Sequence, residues 1–146
     1  MFEAILVPTD GSPLAEAAFG PAIEAARAAG GRIVGISVAR PHTRPRPTPG
    51  SPIPDYAEQY RKEMLDLAAE HVGRLAEACA RAGVPCETLT PCSDDVAGEI
   101  LAAARACACG AIFMASHGRR GLGRLVLGSE TQRVLADTPV PVMVFR

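Results

Sequence analysis

The sequence contains no tryptophan, and only 4% of its residues are aromatic. A core must therefore be packed from Ala, Val, Leu and Ile, for which the 48% hydrophobic fraction is ample. The longest apolar stretches, residues 111–115 and 140–145, are far too short to span a bilayer. The first residues carry the acidic Glu3 where a signal peptide needs positive charge. These absences predict a cytoplasmic protein without a membrane partner.

Lysine is also scarce, and positive charge is not in excess. The formal net charge is −1, and Lys62 is the one lysine, so nearly all cationic side chains are arginines. Nucleic-acid-binding domains need a strong excess of basic residues for counterion release. The charge balance therefore predicts no nucleic-acid partner.

The cysteines lack the spacing of a metal or redox site. Their number is odd, which argues against a disulfide framework, and no pair is separated by two residues. Cys107-Ala-Cys109 comes nearest, but a structural zinc ion needs four converging ligands. We expect small buried core residues at Cys79, Cys86, Cys92, Cys107 and Cys109.

Strand and helix patterns alternate along the 146 residues, a length typical of one domain spanning 1–146. Apolar runs that do not alternate in polarity indicate strands covered on both faces. We predict strands at 2–7, 32–38, 85–90, 110–115 and 140–145, with helices between them. Strand–helix–strand units with right-handed crossovers form a doubly wound parallel sheet of α/β class.

Prolines modify this pattern of strands and helices at two places. The first predicted helix starts at the Ser12-Pro13 cap and ends at Gly30-Gly31. Pro21 lies inside this helix and should kink it. Residues 41–54 contain six prolines and no periodicity, which predicts an extended, mobile loop. A Pro-x-x-Pro docking segment is the alternative interpretation of that loop.

Ligands of doubly wound sheets bind beyond the carboxyl ends of the strands, where the winding reverses. This rule indicates the loops after the first and fourth strands. The second loop is rich in glycine, and Gly128-Ser129 opens a helix whose free N–H groups favour an anion. Positive charge would come from a metal ion or from Arg119, Arg120 or Arg124.

The loop lacks the Gly-Lys-Ser/Thr of a P-loop, and its glycines do not have the position or spacing of the dinucleotide fingerprint. Taken alone, it leaves two interpretations open. Ser129 is either a phosphate donor or an ordinary helix cap with Gln132 as its capping-box partner.

Three segments together resemble the universal stress protein family. They are Ile5-Leu-Val-Pro-Thr-Asp10-Gly-Ser12, the pair Met114-Ala-Ser-His-Gly118 and Leu127-Gly128-Ser129, and Pro139-Val-Pro-Val-Met-Val144. The similarity runs in order over the whole chain. It implies a Rossmann-like three-layer α/β/α sandwich with strand order 3-2-1-4-5.

Many members of that family bind ATP through Gly, two residues, Gly, nine residues, then Gly-Ser or Gly-Thr. Gly118, the nine residues after it and Gly128-Ser129 match the second part, whereas Ala115 replaces the first glycine. An added methyl is tolerated if the backbone there has negative φ and is disruptive otherwise. Because the remainder is intact, the resemblance favours the nucleotide-binding branch, with ATP and Mg²⁺ as cofactors.

The resemblance also implies the residues of the site. Pro8, Thr9 and Asp10 would contact adenine and ribose, with Asp10 near the ribose hydroxyls or a metal, although Asp10 could instead close a turn. Val38 would contact adenine through its backbone. The complete expected cofactor-binding set is Pro8, Thr9, Asp10, Val38, Met114, Ala115, His117, Gly118, Arg119, Gly128, Ser129, Glu130 and Thr131.

Three functions compete at this point. The first is an ATP-responsive stress or regulatory protein. The second is a slow ATP hydrolase, for which no group that orients water is identifiable; His117 lacks a local nucleophile or orienting partner and is interpreted as shaping the loop. The third is an interaction module without nucleotide that uses its edge strand and Pro-rich loop.

The last strand predicts self-association. Pro139 and Pro141 at its start are typical of an edge strand, yet residues 140–145 are apolar on both faces. Two such edges can cover each other antiparallel in a two-fold homodimer, through Val142 and Val144. The family resemblance points to the same partner.

Overall fold

The computed structural model describes residues 1–41, 56–118 and 127–146, apart from the side chain of Tyr56. All paired strands are parallel, and their order is β3-β2-β1-β4-β5. This confirms the predicted doubly wound sheet and its strand order. The strands are β1 (Ala4–Pro8), β2 (Arg32–Ile36), β3 (Cys86–Leu89), β4 (Ala111–Ala115) and β5 (Val142–Phe145).

Helices cover both faces of the sheet. The described helices are α1 (Pro13–Glu16), α2 (Phe19–Ala28), α3 (Tyr56–Ala82), α4 (Val96–Ala106) and α5 (Ser129–Asp137). Side chains of α2 and α3 pack with Ile5 and Val7 on one face, and those of α4 and α5 pack with Leu6 on the other. Because successive residues of β1 serve opposite cores, its apolar run does not alternate in polarity.

The segment after β1 differs from the predicted single kinked helix, because α1 ends at Glu16 and α2 begins at Phe19. Pro21 lies in the first turn of α2, where its missing N–H has no helical partner to lose. A continuous helix would bring its ring against the carbonyl of Ala17, four residues earlier. The chain therefore interrupts the helix at Ala17, which is the C-cap of α1.

The predicted cap at Ser12 and the predicted stop at Gly30 are confirmed, and other helices have comparable ends. Ser12 accepts a hydrogen bond from the Ala15 N–H at 3.2 Å, and Asp95 caps α4 through the Gly98 N–H at 3.1 Å. Gly30 and Gly83 end α2 and α3 with φ of +63° and +70°. These positions require the left-handed backbone conformation that glycine adopts without cost.

Other expectations need correction or lie outside the described residues. Only Cys79 and Cys109 are buried; the other three cysteines are partly exposed, and all five are free thiols. The last strand starts at Val142, because Pro141 cannot donate to a ladder. The predicted loop at 41–54 lies outside the described residues except for Pro41. No described helix has the length and hydropathy needed to cross a membrane.

Candidate functional site

A cavity of about 670 Å³ opens at the carboxyl ends of β1 and β4, where the winding of the sheet reverses. Its size falls within the range that holds small-molecule ligands. The expected cofactor-binding residues line it together, except Arg119, which lies outside the described residues with Arg120 and Arg124. Those lining it are Pro8, Thr9, Asp10, Val38, Met114, Ala115, His117, Gly118, Gly128, Ser129, Glu130 and Thr131.

The Asp10 carboxylate lies between the two loops that the winding rule indicates. Its Oδ1 accepts a hydrogen bond from the Ser12 N–H at 3.0 Å, so the turn interpretation of Asp10 is realised. Its Oδ2 faces Gly118, where a Cβ would come within 2.6 Å. Asp10 thus closes its own turn and still lines the cavity, and any side chain at position 118 would displace its carboxylate.

Gly128 is required by close packing and not by an unusual backbone angle. Its φ is −59°, which any residue adopts. Its N–H donates to the Ser116 carbonyl at 2.7 Å, and a Cβ would lie 3.1 Å from Cα of His117. The glycine therefore brings the start of α5 against the end of β4 and narrows the cavity between them.

The start of α5 argues against the helix-cap interpretation of Ser129. Gly128 is the N-cap, without a side-chain cap bond, and Ser129 is the first helical residue. The Gln132 amide donates to the Leu127 carbonyl at 2.6 Å and so is not a capping-box partner of Ser129. The first-turn N–H groups of α5 point out of the helix, as in any helix, beside the Ser129 hydroxyl. This arrangement favours an anion.

Ala115 ends β4 without strain. Among the described non-glycine residues, only Ala108 has a positive φ, so the methyl of Ala115 does not conflict with its backbone. The Ala115 carbonyl accepts a hydrogen bond at 3.0 Å from the Thr131 hydroxyl, and both residues are buried. The departure from the glycine motif is therefore compatible with the fold, and the methyl lines the cavity.

His117 is partly exposed at the cavity mouth. Its Nδ1 lies 3.2 Å from the Gly118 carbonyl, which can only accept, so this contact is a hydrogen bond when Nδ1 carries the proton. The ring is thereby turned toward its own loop. This geometry suits the predicted loop-shaping role.

The sequence analysis missed cavity residues contributed by other elements. His71 of α3 is 6% exposed and shares a hydrogen bond of 3.3 Å with the Ser37 hydroxyl. Leu67 and Met64 lie one and two turns before it on α3 and form an apolar wall. No local signal in the sequence distinguishes a helix residue that packs in the core from one that lines a cavity.

Arg40 is another residue that sequence reasoning missed. It follows β2 and pairs with Glu130 of α5 at 3.1 Å, and both residues line the cavity. Glu130 also accepts the Ala97 N–H of α4 at 3.0 Å. The Glu130 carboxylate is therefore engaged by protein groups, which leaves its backbone N–H as the group to offer a ligand.

Comparison with known proteins agrees with this architecture. The model of the universal stress protein family matches residues 1–146. The chain belongs to the universal stress protein family. A relative from Thermus aquaticus, the universal stress protein in the QAH/OAS sulfhydrylase 3′ region, is 34% identical over 148 residues, covering 100% of both chains.

Solved structures of other universal stress proteins share the fold. UspA from Lactobacillus plantarum has a TM-score of 0.77 at 22% identity, covering 99% of this chain and 98% of its own. A universal stress protein from Archaeoglobus fulgidus in complex with dAMP has a TM-score of 0.66 at 19% identity, covering 98% and 97%. This universal stress protein therefore shares its fold with these structures.

Proposed function

We propose that this universal stress protein is a cytoplasmic regulatory protein that binds ATP with Mg²⁺ in the cavity between β1 and β4. One observation carries the proposal. Residues singled out along four separate segments of the sequence come together around a single space of about 670 Å³. The dAMP complex of the Archaeoglobus fulgidus protein supports an adenine nucleotide as the class of ligand.

The end of β2 supplies a backbone edge for the base. The N–H groups of Ser37 and Ala39 donate toward the β3 side, to Leu89 and Pro91. Because backbone direction alternates along a strand, the N–H and C=O of Val38 point to the other side, where β1 has already ended. Such a donor–acceptor pair matches the donor–acceptor edge of adenine, and Met64 and Leu67 offer apolar contact to its ring.

The phosphates would lie at the opposite wall. The N-terminus of α5 provides free N–H groups and the positive end of a helix dipole, beside the Ser129 hydroxyl. Gly128, the N-cap of α5, has no side chain that could cover these N–H groups. Asp10, across the cavity, accepts hydrogen bonds and suits the ribose hydroxyls.

The donor set also fits Mg²⁺ held through the nucleotide. The described residues contain no group of three or more His, Cys, Asp or Glu side chains arranged for a metal. Mg²⁺ bound with nucleotides commonly uses one or two carboxylates, phosphate oxygens and water. Asp10 is the carboxylate that would serve such an ion, as the alternative to its role at the ribose hydroxyls, and the bound ion would neutralise phosphate charge.

Thermal denaturation with and without ATP and Mg²⁺ tests the proposal. A ligand of the native state at a hundredfold excess over Kd should raise the Tm by about 5–10 °C. Gly128→Val should abolish the rise, because its side chain meets the His117 backbone. Gly73→Val is the control, since nothing lies within 4 Å of a Cβ there. Absence of a Tm shift and of calorimetric heat at millimolar ATP would contradict nucleotide binding. A separate assay of phosphate release would reveal ATP hydrolysis.

We further propose a homodimer through β5, which lies at the edge of the sheet. The Ile112 and Ser116 N–H groups donate to Pro141 and Phe145, so the backbone groups of Val142 and Val144 point to the free edge. The strand is apolar, and Met143 is 50% exposed. An edge of this kind is stabilised when a second copy pairs with it.

A further inference from the structure

The carboxylate of Glu130 lies in an unexpected place for its position in the chain. Glu130 belongs to the first turn of α5, where an acidic side chain is normally stabilised by the free N–H groups of its own helix. Here its Oε2 accepts the N–H of Ala97, at the start of α4, at 3.0 Å. Its Oε1 accepts the Arg40 guanidinium at 3.1 Å. The carboxylate is thus directed to a neighbouring helix.

The direction of the Glu130 carboxylate matters because the same first turn of α5 is proposed to bind the nucleotide phosphates. A carboxylate over the first turn of α5 would compete with a phosphate for the same N–H groups and would repel it. Arg40 offsets the negative charge of Glu130, and the Arg40 and Glu130 side chains are 36% and 32% exposed, partly sheltered from solvent screening. The pair also joins the end of β2 to α5, across the cavity.

We propose that Arg40 is a positioning residue for the nucleotide phosphates. By pairing with Glu130 it holds this carboxylate at α4, leaves the start of α5 to the ligand and sets the preference of the site for more highly charged nucleotides. Arg40 acts through Glu130 and not by contact with the phosphates. This inference rests on the proposed nucleotide binding and identifies a determinant of its charge selectivity.

Calorimetric titration of the full chain with Mg·ATP, ADP, AMP and adenosine tests the inference. Arg40→Met removes the charge and keeps most of the side-chain length. We expect affinity to fall about tenfold for ATP, progressively less for ADP and AMP, and less than about twofold for adenosine. The ATP effect should shrink as salt is raised.

Combining Arg40→Met with Glu130→Gln tests whether Arg40 acts through the Glu130 carboxylate. The glutamine side-chain oxygen can still accept the Ala97 N–H but carries no charge to repel phosphate. In Glu130→Gln, Arg40→Met should change ATP affinity less than about twofold, because no misdirected carboxylate remains. Arg74→Met is the matched control: Arg74 pairs with Glu16 and Glu70 outside the cavity, and its loss should leave affinity unchanged.

The possible outcomes are separable. A wild-type chain that binds no nucleotide overturns the proposed function together with this inference. If the wild type binds, an unchanged ATP affinity in Arg40→Met overturns the inference alone. An equal loss in the Glu130→Gln background would instead mean direct phosphate contact by Arg40, and an equal loss for adenosine would mean contact with the base; both contradict the proposal.

Discussion

The imidazole of His71 lies against Gly11, in the space that a side chain at position 11 would need. A Cβ on Gly11 would come within 2.9 Å of His71 Cε1 and closer still to Cδ2 and Nε2. Gly11 also has a φ of +76°, and the Ser37 hydroxyl shares a hydrogen bond with the same ring. Helix α3 therefore supports the turn that holds Asp10 at the cavity.

Gly11→Ala should destabilise the protein by about 2–4 kcal/mol, because it combines an unfavourable left-handed backbone with displacement of a buried ring. Chemical denaturation measures this loss. Movement of the turn should also displace Asp10 and weaken ATP binding, which calorimetry at a temperature below unfolding measures.

Gly30→Ala separates strain from steric overlap. Gly30 has a φ of +63°, but a Cβ there meets nothing within 4 Å. We expect a loss of only about 1–2 kcal/mol from the backbone term and unchanged ATP affinity. Equal losses of stability for the two variants would show that the His71 contact contributes nothing.

Ala115→Gly should tighten ATP binding and weaken the fold. The methyl lines the cavity at the position where the family motif has glycine, so its removal gives the ligand more room. Glycine within a strand costs about 0.5–1 kcal/mol of stability. Ala111→Gly, at the other end of β4 and outside the cavity, should carry a comparable stability cost with no gain in affinity. Weaker ATP binding by Ala115→Gly would mean that the methyl contacts the ligand favourably.

Val144→Lys should convert the proposed dimer to monomer. A lysine on the edge strand β5 opposes strand pairing by charge. Position 144 is suitable because its backbone groups point to the free edge of the sheet. Light scattering at micromolar concentration should give about twice the chain mass for the wild type. Ala80→Lys, exposed on α3, is the control and should remain dimeric. A wild-type monomer at high concentration would contradict the dimer.

Cys109 should make stability fall at alkaline pH. Burial raises the pKa of its thiol to about 11 from an ordinary value of 9.0. The folded chain therefore keeps a proton that the unfolded chain releases between these values, so the contribution is complete below pH 9 and decreases as pH rises toward 11. The loss should be about 2 kcal/mol at pH 11.

Denaturation curves of the wild type and of Cys109→Ala across pH 8–11 measure this loss of stability, which should be absent in the variant. Cys92→Ala, which changes a partly exposed thiol, should retain the decline.

Mass spectrometry after brief alkylation at pH 8 provides a second readout. Cys86 should react before Cys109, because its hydrogen bond with Cys79 lowers the pKa of Cys86 and its side chain is partly exposed. Prior labelling of Cys109 would contradict its burial.

The fold class and many of the residues that line the cavity could be predicted from the amino-acid sequence. Unalternating apolar strands require cover on both faces, and caps such as Ser12 and Gly30 act on backbone groups within a few residues. The placement of Asp10 and Gly128 near one cavity followed from parallel topology, since strand ends on either side of the reversal must adjoin. Even the interruption before Pro21 has a local cause, although its form was predicted as a kink.

The distant side chains that complete the cavity could not be predicted from the sequence and are known from the folded chain. Arg40 and Glu130 are 90 residues apart, and Ser37 and His71 are 34 apart. Their pairing depends on the rotation of α3 and on the separation of α4 from α5, which side-chain packing over the whole sheet sets. The sequence carried no prediction for His71, and the fold alone brought its ring against Gly11, because a contact between elements depends on geometry that neither segment encodes by itself.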